Sequence, residues 1–369
     1  MRTLVVSDLH LGAGRRTDVL RRPEPLQELC AHLAGFDRLV VLGDAVELRH
    51  APQRDALTAA APVLAALGEA LGPDGELVLV AGNHDHHLIA PWLQDRAADG
   101  PPPPLGLQAE VDGVSSGALG YLRDSVAPAR LRVAHPGVWL REDVYAIHGH
   151  YLDRLITIPT FERLAAGAMA RVVGPLPERH ATAEDFEAAL TPLYAWIHAV
   201  AQASGGSWSA GRQSASAGAW QMLTAAGPRV PLKARVLAAL FPLAVRGLNR
   251  AGLGPVRAQL SGEELRRAGL TAMRGVVARL GVGAAHVIFG HTHRAGPLPG
   301  DDRSEWRVGP DGPQLHNAGC WIDEPVFARG GTDSPYWGGR AIELTDRPGE
   351  VPRLVRVTGD LGARPPRPA

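Results

Sequence analysis

The chain has 369 residues, of which 45% are hydrophobic and 21% charged, enough for about two packed domains and too apolar for wholesale disorder. Its 38 basic and 38 acidic residues balance to a formal net charge of zero, which argues against a broad nucleic-acid-binding face. Two cysteines, Cys30 and Cys320, are too few for a disulfide scaffold and fit a reducing compartment.

Met1-Arg2 leads directly into the apolar run Leu4–Val6, with none of the pattern of a secretory signal, and that run ends in Ser7-Asp8-Leu9-His10. Helical spacing over Pro25–Leu33 precedes a second run, Arg38–Leu42, ending in Gly43-Asp44. A second helical stretch, Ala56–Leu71, precedes Leu77–Val80, which ends in Ala81-Gly82-Asn83-His84-Asp85. Val144–Ile147 then runs into His148-Gly149-His150. From about residue 155 to 285 the signals are helical, over Phe161–Val173, Ala183–Ala203, Lys233–Ala251 and Glu263–Leu280, with a Ser/Gly-rich loop at Ser204–Gly218. His286–Phe289 leads into Gly290-His291-Thr292-His293, and further strands are expected at Leu315–Trp321, Arg340–Leu344 and Arg353–Val357.

Strands alternating with helices predict an α/β fold with a parallel sheet, and such sheets bind ligands beyond the carboxyl ends of their strands. The expected organisation is a core of residues 1–155 and 285–360, a helical cap insertion over 156–284, and a disordered tail over 361–369. No apolar run reaches the roughly 18 residues of a spanning helix, so a cytoplasmic location is expected.

Five strands would deliver Asp8, His10, Asp44, Asn83, His148, His291 and His293 to one edge. Asp8 and His10 are one residue apart, as are His291 and His293, so in extended segments each pair would share a face. Seven N/O ligands exceed one tetrahedral ion and suit two cations sharing a carboxylate, for which Asp44 is the natural bridge. Imidazole, carboxylate and amide without thiolate favour manganese foremost, with Fe, Zn, Co and Mg admitted. Two such ions suit in-line displacement at phosphorus by a metal-bridging hydroxide. His84 is left over as general acid or transition-state stabiliser, with Glu47 or Asp85 holding its ring.

Asp8-x-His10, Gly43-Asp44-x-x-Glu47, Gly82-Asn83-His84-Asp85, His148-Gly149 and Gly290-His291-Thr292-His293 together resemble the ordered blocks of calcineurin-like metallophosphoesterases. The resemblance implies two mixed β-sheets in a sandwich flanked by helices. It also implies one metal on Asp8, His10, Asp44 and His293, and the other on Asp44, Asn83, His148 and His291. Asn83 is thereby both a ligand and a substrate-side residue. Leu48-Arg49 stands where the protein Ser/Thr phosphatases carry Arg-Gly, and His150 stands where relatives carry Asp, which makes it a competing ligand.

A narrower resemblance points to the branch of UDP-2,3-diacylglucosamine hydrolases. The apolar stretch Val236–Val245, followed by Arg246 and Arg250, would suit an acyl chain joined to a diphosphate and a peripheral membrane contact through the cap. Against that branch, this chain has His84 in place of Arg. The leading expectation is thus a dinuclear-metal phosphoesterase acting on a small-molecule or lipid-linked phosphoester, its substrate chosen by the cap. A lipid-linked diphosphate hydrolase and a non-catalytic metal-binding scaffold are the alternatives. His50 and His198 receive no role at this point, and Trp208 and Trp220 are read as core packing.

Overall fold

The computed structural model describes residues 1–362 except 15, 99, 101, 113–116, 159, 204–242, 258–261 and 324–330. The loop at Ser204–Gly218, Trp208, Trp220, the stretch Val236–Val245 up to residue 242, and the tail beyond residue 362 therefore lie outside the described residues.

The first strands follow the apolar runs: β1 (Arg2–Val6), β2 (Arg38–Leu42) and β3 (Glu76–Val80), paired in parallel in the order β1-β2-β3. Between them lie α1 (Pro23–Leu33) and α2 (Gln53–Leu71). Pro23 opens α1 at a position whose N–H would be unpaired in any case, and α1 buries Leu29 and Leu33 one turn apart. Ala56, Ala60, Val63, Leu64 and Leu67 form the buried stripe of α2. Next come α3 (Ala90–Ala98), β4 (Gln108–Glu110), α4 (Gly117–Val126), β5 (Arg130–Arg141) and β6 (Val144–Ile147).

Successive residues of β1 to β3 go to opposite faces, and both faces are covered. Leu4, Val6, Leu39, Val41, Leu77 and Leu79 pack with the buried stripes of α1, α2 and α4. Val5, Val40, Leu42, Val78 and Val80 pack with Val138, Val144, Ala146 and Ile288. Burial on both sides is why these strands read as unbroken apolar runs instead of alternating ones.

The twelve-residue β5 joins two parts of the strand order. Glu76↔Arg130 through Val80↔Ala134 pair β3 with β5 in parallel, while Gly137↔Ile147 begins an antiparallel pairing with β6. Pro136 falls between these two partnerships and stands opposite Gln108 of β4. After the helical insertion, β7 (His286–Phe289) and β8 (Gln314–Asn317) extend β6 in parallel. β9 (Arg340–Thr345) and β10 (Arg353–Arg356) add antiparallel strands beside β1. The full order is β10-β9-β1-β2-β3-β5-β6-β7-β8, with β4 on β5. Because Val5 and Val40 share one apolar cluster with Ala146 and Ile288, the part before β5 and the part after it face each other across a common core. This is a mixed α/β sandwich.

By contacts the chain divides into two units, Met1–His150 with Tyr194–Ala210 and Val282–Ala369, and Tyr151–Leu193 with Gly211–Gly281. The sequence predicts an insertion over the whole of 156–284. Residues 194–203, the C-terminal half of α6 (Ala183–Ala203), instead cluster with the strands. The second unit is helical where described, with α5 (Phe161–Val173), residues 183–193 of α6, helical residues 243–250 and α7 (Gly262–Leu280). Thr160 caps α5 by accepting from the Arg163 N–H at 3.0 Å. Within the same unit Tyr151 stacks on Phe186 with ring centroids 4.7 Å apart and donates to Glu187 Oε1 at 2.7 Å. Among the described residues no helix is long and apolar enough to cross a membrane.

Candidate metal centre

The loops that follow β1 and β2 are zipped together by backbone hydrogen bonds, from Asp8 N to Gly43 O, His10 N to Asp44 O and Leu11 N to Ala45 O, at 3.1, 2.8 and 2.9 Å. The side chains they carry do not converge by strand alternation. Asp8, His10, Asp44, His291 and His293 all lie beyond their strands with positive φ, between 46° and 64°. The expectation that Asp8/His10 and His291/His293 share a face of extended chain is therefore corrected. The left-handed backbone aims them, at a cost of about 1–2 kcal/mol for each non-glycine residue held there.

Two motif glycines make room for ligands arriving from other loops. A Cβ at Gly43 would lie 2.2 Å from the His148 imidazole, and one at Gly290 would lie 1.9 Å from Ser7 Oγ and 2.6 Å from Asp8 Oδ2. Only glycine permits this approach.

The structure brings six of the predicted ligands, together with His84, into three overlapping groups whose ligand atoms lie within 4.8 Å of one another: Asp8, His10 and His293; His10, Asp44 and His84; and Asp44, His148 and His291. In the first group His293 Nε2 stands 3.2 Å from Asp8 Oδ1 and 3.3 Å from His10 Nε2. In the last, His148 Nε2 is 3.4 Å from Asp44 Oδ2, and Asn83 Oδ1 is 3.2 Å from His148 Nε2 and 3.1 Å from His291 Nδ1.

Neighbouring groups fix which ring nitrogen points inward. His10 Nδ1 donates to Glu47 Oε2 at 3.0 Å, and His148 Nδ1 donates to the Leu42 carbonyl at 2.8 Å. Each leaves Nε2 as a lone pair directed at the cluster. Asp8 Oδ1 is buried there with no hydrogen-bond donor, while Asp8 Oδ2 accepts from Ser7 Oγ and the His291 N–H. A cavity lined by converging lone pairs suits a cation. The orientation of Asn83 turns on the same point. Hydrogen bonding alone would put its amide nitrogen inward and its oxygen on Arg49 Nη1 at 2.8 Å, whereas a cation calls the oxygen inward.

Charge reinforces this pattern. Burial would raise the Asp44 carboxyl, but the adjacent His148 and His84 imidazoles hold it well below the usual carboxylate range. Asp8 behaves alike: burial opposes ionisation, and the charge of His293 beside it brings it down to about 2. Burial works against a charged His148, yet Asp44 beside it raises the ring to about 10, so without a cation Nε2 holds a proton that a bound metal would displace.

His84 joins the centre through its backbone as well as its ring. Its N–H donates to Asp44 Oδ1 at 2.8 Å, and its Nδ1 donates to Glu47 Oε2 at 2.8 Å. Burial lowers its pKa to about 4, against the pull of Glu47 and Asp44. Of the two carboxylates expected to hold this ring, Glu47 does so. Asp85 accepts instead from the backbone N–H groups of Ala45 and Gly82, both at 2.7 Å, and ties the loops after β2 and β3 together. Its own carboxyl is pushed up to about 6, by burial and then by the charge of Asp44.

Among the described residues none of the three groups includes His150, which is buried with its ring 5.5 Å from that of His148. Arg246 and Arg250 are exposed on helical residues 243–250 of the second unit. Three residues that carried no role in the sequence stand at this centre. His50 Nδ1 is 3.3 Å from Glu47 Oε2, Arg49 lies beside Asn83, and Tyr194 of α6 lies 5.9 Å under the Arg49 guanidinium.

Residues 1–171 match the family model described as calcineurin-like phosphoesterase. Over these residues the chain is similar to the calcineurin-like phosphoesterases, and His291 and His293 join the cluster from beyond the matched range. No curated protein sequence matches the chain.

Proposed function

We propose that this protein hydrolyses a phosphate ester or diphosphate bond with two divalent cations. Asp8, His10, Asp44 and His293 would hold one, and Asp44, Asn83, His148 and His291 the other. The observation that carries the reading is the set of lone pairs facing one another, with Asp8 Oδ1 lacking any donor and two imidazoles locked with Nε2 inward. When bound, such a pair of ions neutralises phosphoryl oxygens and supplies a nucleophilic water at neutral pH. The absence of thiolate from the donor set supports manganese first, then Fe, Zn, Co or Mg.

Glu47 keeps His10 in its ligating tautomer and at the same time fixes the His84 ring. With Nδ1–H committed to Glu47, His84 has Nε2 left to exchange a proton with the leaving oxygen. Burial alone disfavours its charged form, and a phosphoryl dianion brought beside it acts in the opposite direction. Asp85 works through the backbone, keeping the Asp44 and Asn83 loops in register. Substrate selection by the helical insertion, with Arg246 and Arg250 as anion contacts, is supported by its place in the chain. It is inserted between β6 and β7, the strands that precede His148 and His291.

The test is hydrolysis of p-nitrophenyl phosphate by protein stripped with chelator and reloaded with each metal in turn. Turnover should appear only on reloading, and Asp44→Asn should abolish it while lowering metal content. Hydrolysis at the parental rate by Asp44→Asn would overturn the reading.

A further inference from the structure

Arg49 has no part in the chemistry above, yet its place at the centre is tightly determined. Its backbone N–H donates to Glu47 Oε1 at 2.9 Å, and Nη1 stands 2.8 Å from the outer atom of the Asn83 carboxamide, which is the amide nitrogen when the oxygen faces a cation. Buried Tyr194 backs the guanidinium at 5.9 Å from the ring centroid. The flanking chain is held too: His198 is hydrogen-bonded to the Leu48 backbone, and Gln53 N donates to Gln202 Oε1 at 2.9 Å. The C-terminal half of α6 thus pins the segment that carries Arg49 at both ends. A guanidinium is permanently charged and shaped for phosphoryl oxygens. Around it the site consists of carboxylates, an amide and imidazoles, with the Asn83 carboxamide beside Arg49 and the His84 ring within reach of its charge.

The number of oxygens then decides the substrate class. A phosphodiester has two non-bridging oxygens, and a terminal phosphate has three. If the two ligand sets of the proposed centre each engage one oxygen, a diester has none left, whereas a terminal phosphate still presents one to Arg49. We propose that Arg49 binds this third oxygen, so that the substrate is a phosphomonoester or the outer phosphate of a diphosphate, and not a diester. This rests on the phosphohydrolase reading.

The experiment compares the metal-loaded full chain with Arg49→Gln and Arg49→Lys, using p-nitrophenyl phosphate and bis-p-nitrophenyl phosphate. Orthophosphate binding by calorimetry and metal content are measured in parallel. The wild type should favour the monoester. Arg49→Gln should reduce the monoester-to-diester ratio of kcat/KM by about tenfold or more, chiefly through KM, and weaken orthophosphate to a similar degree, the scale of one charge-assisted hydrogen bond. Arg49→Lys should restore part of both losses, with metal content the same in all three proteins. An equal loss on both substrates, or parental orthophosphate affinity in Arg49→Gln, overturns the proposal. If the wild type hydrolyses neither substrate, the phosphohydrolase reading falls instead, and the orthophosphate comparison still decides what Arg49 binds.

Discussion

One carboxylate at the centre serves three imidazoles. Glu47 Oε2 lies 3.0 Å from His10, 2.8 Å from His84 and 3.3 Å from His50, and its Oε1 accepts the Arg49 N–H at 2.9 Å. Removing its charge while keeping its shape should loosen a ligand and the proton-exchanging ring together. Glu47→Gln is expected to lower metal affinity and kcat/KM by about 10–100-fold, the usual effect of disturbing a group that orients a ligand. Metal titration with parallel kinetics checks this, and a variant with parental values for both would contradict it. The seven proposed ligands were readable in the sequence because each stands just after an apolar run, within a short block of Gly, Asp, Asn or His. Arg49, His50 and Tyr194 were not readable. Their roles depend on residues 194–203 packing beside the segment after Glu47, which no local pattern announces.

The elements divide along similar lines. β1, β2, β3, β6 and β7 were legible since burial on both faces makes each a continuous apolar run. β5 was not. The strand runs through Pro136 where its partner changes from β3 to β6, with Gln108 of β4 opposite the proline. Strand alternation also misdescribed how the ligands converge, since positive φ, a costly state for Asp and His, is not written in a local motif.

On β8, His316 offers a test of packing at a distance from the ligands. It is buried, with Nε2 3.1 Å from His286 Nδ1, and burial, then the nearby His286 and Arg303, lower its pKa to about 3. The folded protein therefore binds fewer protons here than the unfolded chain between about pH 3 and the ordinary 6.5. Its contribution to stability is complete above pH 6.5 and declines as the pH falls toward 3, with a slope of up to about 1.4 kcal/mol per pH unit. Urea midpoints measured from pH 7 to pH 4.5 should drop less steeply for His316→Gln than for the parent. Parallel curves would show that the ring does not titrate in this way.

At the scale of the molecule, the ligands come from chain segments as far apart as Asp8 and His293, and a family match ending at residue 171 covers only part of the set. The helical insertion separates His148 from His291 in sequence, but Tyr194 and His198 within it return to the unit that holds the centre. A cluster gathered from both flanks of the chain ties metal binding to the folding of that whole unit, because ions bound only by the native state stabilise it by mass action.

Metal content measured on crystals of the purified protein tests this most directly. Anomalous diffraction at the absorption edge of the reloaded metal should show two peaks, one among Asp8, His10, Asp44 and His293 and one among Asp44, Asn83, His148 and His291. Maps from fully reloaded crystals with the side chains in place and no anomalous peak between them would contradict the account.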